Sequence, residues 1–372
     1  MLNELLIQVA EDKNLLLSNF NSLFDDISST TIESKWNTHQ FKKDVQTNDF
    51  IAVDGSINNE NLVTETIYAL SSHALYSNTA HGIKQVSLKN KVEIMSNGIE
   101  SYNSIFSKQM NIFELKTILN SLYLKPEVDY LLVDGDLFSI LNHVASIVNT
   151  SLRKNKFVQE FTEEIIKNEE NNYSLDVPTV TSLIEEIPKN LEIPTNEIVL
   201  YFQMIEQLCI LKNILSDYSQ KIISISKTCR TRTLYENKYF SDRALLTKYC
   251  KKSGYSDETF IDDTRLRVYV NNMIQDGQDP VYDNFFRNLN FTNRFVRLSD
   301  KGSIIKVQLV NHAGKNEFEQ IFEDLHSISL NRTGYPFLLK KVHDDVKISS
   351  KDIKIILRQL DKQYELKERN VL

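Results

Sequence analysis

Two short apolar runs in this chain stop on the same dipeptide. Phe50-Ile51-Ala52-Val53 leads into Asp54-Gly55-Ser56, and Tyr130-Leu131-Leu132-Val133 leads into Asp134-Gly135-Asp136. Each run is brief and rich in Val, Ile and Leu, which is the pattern of a buried strand rather than a helix. The Gly after each run predicts a sharp turn, so each Asp is expected at a strand end, at the mouth of a sheet. Between the two runs the pattern predicts strands over 62–76 and 91–95, most simply an antiparallel meander with the first. A helix follows over 99–122, with Ile105, Phe106, Met110, Phe113, Ile118 and Leu122 on its buried side. Glu114 breaks that stripe. A carboxylate there is costly unless it is paired or binds metal, although it could also snorkel from the helix edge into water.

The rest of the chain is mostly helical. Leu2, Leu5, Leu6, Val9, Leu16, Phe20 and Leu23 predict an amphipathic helix over 2–26. A helix is expected over 137–152, then a helical stretch over 156–218 interrupted by Pro178, Pro188 and Pro194. Residues 221–226 are β-branched and deliver Lys227 at a strand tip. A hairpin is predicted from 294–298 and 304–310 around Asp300-Lys301-Gly302-Ser303, then a helix over 318–328. Gly334-Tyr335-Pro336-Phe337 reads as a turn, with His343 ahead of a last helix over 351–366 capped by Ser349 or Ser350. The division expected is an N-terminal helical segment (1–45), a main domain from 46–152 and 219–372, and an inserted helical module (153–218).

Composition narrows the class. The chain has 372 residues, 41% hydrophobic and 25% charged, enough for a large core. Nine Gly and six Pro disfavour a turn-dense all-β protein. Three widely spaced Cys support neither a zinc ribbon nor a disulfide framework and fit a reducing, cytoplasmic setting. The acidic N-terminus lacks a signal-peptide pattern, and no apolar run is expected to reach membrane-spanning length. Net charge is −7, but it is uneven. Lys227, Arg230, Arg232, Lys238, Arg243, Lys248, Lys251 and Lys252 face only Glu236 and Asp242 between 227 and 252. Such a stripe can bind a phosphate backbone on an otherwise acidic protein. The stretch over 160–197 is strongly acidic and reads as a solvated face.

The predicted order is strand (Asp54), strand, strand, helix (Glu114), strand (Asp134), helix. That is the order of a ribonuclease H-like α/β domain with a mixed sheet, here carrying a helical insertion and a C-terminal strand and helix segment. Carboxylates on its first and fourth strands lie side by side, and the helix can bring a third. Such a set can hold two divalent cations about 3.5–4 Å apart for phosphodiester hydrolysis. Mg²⁺ and Mn²⁺ are hard cations that prefer oxygen ligands. Lys227 at a strand end suits stabilisation of a phosphoryl transition state. His343 could be a metal ligand, a proton shuttle, a phosphate contact or an exposed surface residue. An actin-like or sugar-kinase-like phosphotransferase also ends strands on Asp-Gly, but it needs Gly-rich phosphate loops that are absent here. A non-catalytic adaptor of a DNA translocase is the third alternative; the three carboxylates argue against it.

These residues resemble the motifs of the NurA nuclease family of archaeal DNA repair. The matching pieces are Val53-Asp54-Gly55-Ser56, Glu114, Leu132-Val133-Asp134-Gly135, Ile225-Ser226-Lys227-Thr228, Ser241-Asp242-Arg243, and Gly334-Tyr335-Pro336 followed by His343. They occur in family order over nearly the whole chain. The resemblance implies a homodimer enclosing DNA. It also implies Mn²⁺-dependent (Mg²⁺ possible) 5′-to-3′ exonuclease action on single- and double-stranded DNA, with single-strand endonuclease action. The implied partner is a hexameric HerA-type ATPase, and the implied role is end resection for recombinational repair. Carried over, Asp54, Glu114, Asp134 and His343 would be metal ligands, and Tyr335 would complete the catalytic set. Lys227, Arg230, Arg232 and Arg243 would hold DNA. One departure is Val342, where the family has a small residue before the His.

Overall fold

A computed structural model describes residues 2–15, 18, 27–42, 48–78, 82–96, 102–145, 152, 154–172, 177, 179–260, 284–311, 315–330 and 332–360. The first part runs α1 (Leu2–Glu11), α2 (Ser29–Glu33), β1 (Trp36–Thr38), β2 (Phe50–Asn61), β3 (Glu65–Asn78), β4 (Gly82–Ser96), α3 (Tyr102–Leu124) and β5 (Tyr130–Asp134). Then come α4 (Leu137–Ala145), α5 (Lys156–Asn172), α6 (Val180–Glu186), α7 (Thr195–Tyr218), β6 (Ile222–Ser226), α8 (Asp242–Tyr249), β7 (Gly254–Ser256) and β8 (Thr259–Phe260). The chain continues with α9 (Asn284–Arg287), β9 (Phe291–Arg297), β10 (Ile305–Val310), α10 (Lys315–Ser327), α11 (Phe337–Val346) and α12 (Ser350–Gln359). Parts of the predicted N-terminal helix, the helix after Asp134 and the last helix lie outside the described residues.

The described strands form one sheet, ordered β1-β7-β9-β10-β6-β5-β2-β3-β4, with β8 pairing β9. The expected meander is present: β2, β3 and β4 are antiparallel. β5 returns parallel to β2, and β6 lies parallel to β5. The predicted hairpin is β9–β10. The third strand is much longer than the apolar signal over 91–95, because its polar half is held by backbone pairing to β3 rather than by burial.

Side chains along a strand alternate between faces, and here both faces are covered. Ile51, Val53, Leu131 and Val133 enter a core with Phe106, Phe113 and Leu119 of α3 and Phe202, Ile205 and Leu208 of α7. Phe50, Ala52, Leu132, Ile223 and Ile225 enter the opposite core with Phe322 of α10 and Leu339 and Val342 of α11. That double cover explains the unbroken apolar runs.

Two expectations for the insertion change. The segment Thr195–Lys221 is long and apolar enough to cross a membrane, contrary to the absence expected from sequence, and 83% of its apolar window is buried inside the protein. A helix that is apolar all round is what a position covered on every side demands. Nor is the acidic stretch wholly solvated. Lys116 of α3 is buried between Glu169 of α5 (3.0 Å) and Glu206 of α7 (2.7 Å). Removing the lysine would leave two buried carboxylates uncompensated. The pairing ties the helical layer to α3 two residues from Glu114.

Candidate active site

The parallel register of β2 and β5 pairs Val53 with Val133. Asp54 and Asp134 are the next residue on each strand, so they stand side by side. By alternation both side chains fall on the α11 face. There His343 meets them, its Nδ1 2.6 Å from Asp54 Oδ2. One ligand atom each from Asp54, Asp134 and His343 lies within 4.8 Å of the other two.

The sequence placed His343 before a helix; it sits inside one, α11. Pro336 opens that helix, and Leu338, Leu339, Val342 and Val346 bury its inner side. Val342, the departure from the family motif, is a core residue of α11, and its bulk leaves the His343–Asp54 contact in place.

The Gly55 expectation is corrected outright. β2 does not turn at Asp54-Gly55; it runs on to Asn61, paired with β3 throughout. Gly55 faces the α3 side, where a Cβ would fall 2.4 Å from Met110 Cε and 2.6 Å from Glu114 Oε1. Its missing side chain is the space into which Glu114 inserts. Glu114 thus approaches from beneath the strand, outside the tight cluster of the other three. Burial lifts its carboxyl to about 8, and the charges of Asp54 and Asp134 add to the rise. Asp54 is also raised, by burial first, against the His343 hydrogen bond, with Asp134 adding to the rise. Gly55 N–H donates to Asp54 Oδ1 at 2.8 Å.

Lys227, just beyond β6, sits 3.0 Å from Asp134 Oδ2 and 4.1 Å above the Tyr335 ring. Tyr335 is buried, with its hydroxyl beside the Asp134 carboxylate. Burial and the charges of Asp134 and Asp54 raise its pKa, so it stays a proton donor at neutral pH. The turn carrying it is fixed by Gly334 at φ +61, which packs against Gly302 of the β9–β10 turn, and by Ser303 N–H donating to Thr333 O at 2.9 Å.

The basic candidates separate. Arg230 is exposed. Arg232 is exposed too, but its guanidinium donates to the carbonyls of Lys238 and Tyr239 in its own loop. Arg243 donates through Nε to Ile304 O at 2.8 Å, joining α8 to the hairpin. Asp242 lies in no cluster with the metal-ligand candidates. It is fully buried and accepts the N–H groups of Thr233 (2.8 Å), Leu234 (3.1 Å) and Tyr235 (3.1 Å). It fixes the loop that follows Lys227.

One residue escaped the sequence reading altogether. Lys306 of β10 is buried beside Ser226 and pairs with Asp136, the residue that also caps the start of α4 by accepting from Ser139 N–H. It anchors the turn after Asp134. A lone Lys between Ile305 and Val307 was the available signal.

The fold and the site together define a mixed α/β protein with a carboxylate-rich centre. Two aspartates, an imidazole and a buried high-pKa carboxyl fit a hard divalent cation, which would offset their mutual repulsion. The NurA domain model matches residues 48–348, and the chain belongs to that family. It is 27% identical over 354 residues to the probable DNA double-strand break repair nuclease NurA of Methanocaldococcus jannaschii, covering 91% of this chain and 84% of that one. It is 24% identical to the NurA of Saccharolobus solfataricus, covering 95% and 94%. The fold resembles the crystal structure of the NurA nuclease from Sulfolobus solfataricus, with a TM-score of 0.72, 21% identity and 98% and 97% coverage. It also resembles that of a NurA bound to dAMP and manganese, with a TM-score of 0.60, 17% identity and 100% and 99% coverage.

Proposed function

We propose that this chain is a metal-dependent deoxyribonuclease on a ribonuclease H-like core, hydrolysing phosphodiesters of DNA ends in double-strand break repair. The observation that carries the proposal is the convergence of Asp54, Asp134 and His343 within 4.8 Å, with Glu114 held behind them through the gap at Gly55. The names of the curated relatives and the relative that holds dAMP and manganese support it.

Asp54, Asp134 and His343 would hold the metal, Mn²⁺ or Mg²⁺, with Glu114 completing the set as it loses its proton. The bound cation would polarise the scissile phosphate and acidify a water. Asp54 orients His343 through its Nδ1 contact. Lys227 offers fixed positive charge where negative charge develops on the phosphate. Tyr335 supplies a buried hydroxyl donor for a phosphate oxygen or water. Arg230 and, beyond its structural contacts, Arg232 would hold the backbone, which carries no sequence information; Arg243 would do so with its remaining donors. By family resemblance the polarity is 5′-to-3′ with endonuclease action on single strands, the assembly is a homodimer, and the partner is a HerA-type hexameric ATPase in the cytoplasm.

Incubation with end-labelled single- and double-stranded DNA in Mn²⁺, Mg²⁺ or chelator tests the proposal. Degradation is expected with metal and none with chelator. Asp54→Ala is expected to fold and bind DNA yet lose at least about 10²–10³-fold in rate. Full activity of that variant in Mn²⁺ would overturn the assignment.

A further inference from the structure

The loop from Lys227 to Ser241 has little regular structure, yet hydrogen bonds fix it along its length. Its middle is pinned by Asp242, as described above, and by Lys35 Nζ donating to Leu234 O at 2.6 Å and Tyr235 Oη donating to Ile32 O at 2.8 Å. The tip is pinned separately. Asn237 Oδ1 accepts from both Tyr239 N–H and Phe240 N–H, each at 2.8 Å. The Arg232 guanidinium takes the carbonyls of Lys238 and Tyr239. Both backbone groups of Tyr239 are therefore held.

Neighbouring aromatics at this tip point opposite ways. Phe240 packs against the small core of Leu234, Leu245, Leu246 and Phe295. Tyr239 projects outward and is 82% exposed. A large ring left in water on a fixed backbone can take a flat partner without first being ordered. Around it the loop carries Arg230, Arg232 and Lys238 against Glu236, with Lys227 at the root beside Asp134. A flat ring among cations suits a polyanion that also offers flat faces. Unpaired bases supply such faces; those inside a duplex are stacked on one another and do not.

We propose that Tyr239 is a stacking platform for an unpaired base of the DNA strand entering the site, so that the loop binds single-stranded or frayed ends in preference to blunt duplex. The proposal rests on the nuclease function proposed above. The excess of positive charge favours DNA over a protein as the occupant.

The test is binding in chelator, where nothing is cut. Fluorescence anisotropy is read with labelled oligo(dT), with a version carrying an abasic stretch, and with blunt duplex. Tyr239→Ala is expected to weaken oligo(dT) binding about 10-fold and to leave blunt-duplex binding and the melting temperature unchanged. Tyr239→Phe is expected to match wild type, because stacking needs the ring and not the hydroxyl. The abasic stretch should weaken wild type and have no further effect on Tyr239→Ala. Wild-type affinity in Tyr239→Ala would overturn the proposal. Equal loss in Tyr239→Phe and Tyr239→Ala would also overturn it. If wild type neither binds nor degrades DNA, the nuclease function fails as well; if wild type degrades DNA but Tyr239→Ala binds equally, the platform alone fails.

Discussion

Asp54-Gly55 and Asp134-Gly135 are the same two letters doing different physical work. At the second copy the strand ends, and Gly135 takes φ +125, a conformation closed to most side chains, with nothing within 4 Å of where a Cβ would stand. At the first copy the strand continues and the backbone is ordinary, but a Cβ would strike Met110 and Glu114. One glycine is selected for backbone freedom, the other for the volume it leaves empty. Both serve the aspartate before them: Gly135 turns the chain beyond Asp134, and Gly55 lets a third carboxyl approach Asp54 from the opposite face of the sheet.

Gly55→Ala should show the larger effect. Overpacking at a rigid site costs about 1–3 kcal/mol, and displacing Glu114 by about 1 Å is expected to lower nuclease activity on the order of 10²-fold. In a double-mutant cycle read by urea melts, Glu114→Ala should relieve part of the Gly55→Ala stability cost. Gly135→Ala should cost about 1–2 kcal/mol by backbone strain alone, additive with Glu114→Ala. Equal coupling at the two glycines would erase the distinction between them.

A smaller effect follows from the Glu114 carboxyl, raised to about 8 from an ordinary 4.5 by burial and by the charges of Asp54 and Asp134. A carboxyl with a higher pKa folded than unfolded favours the folded state while protonated. Its contribution is therefore full below about 4.5 and is lost as pH rises towards about 8. The metal-free protein should melt at steadily lower temperature across that window; Asp54 is raised in the same direction, so its contribution too is lost as pH rises. Glu114→Gln should flatten the dependence. A melting temperature that rises over the same range, equally in wild type and Glu114→Gln, would show that Glu114 is not the buried acid described here.

What the sequence makes legible is set by the range over which each physical signal acts. The apolar runs over 50–53 and 130–133 gave their strands, because burial on both faces leaves a local pattern. The anomaly of Glu114 on an apolar stripe was local too. What Gly55 does was not, since it depends on a helix half a hundred residues away landing beneath it. The sequence places His343 ahead of the last helix because Gly334-Tyr335-Pro336 reads as a turn, whereas Pro336 also opens α11, which contains His343. Arg232 and Asp242 sit in a basic stretch that suggested phosphate contacts. Their hydrogen bonds to backbone 6–9 residues away are invisible to charge counting.

The central claim is that the two Asp-Gly copies make one metal centre. Calorimetric titration of Mn²⁺ into wild type, Asp54→Asn and Asp134→Asn tests it most directly. Either substitution alone is predicted to weaken binding by at least about 10–100-fold, with the double substitution adding little to whichever single one is worse. Undiminished Mn²⁺ binding after either single substitution would contradict it.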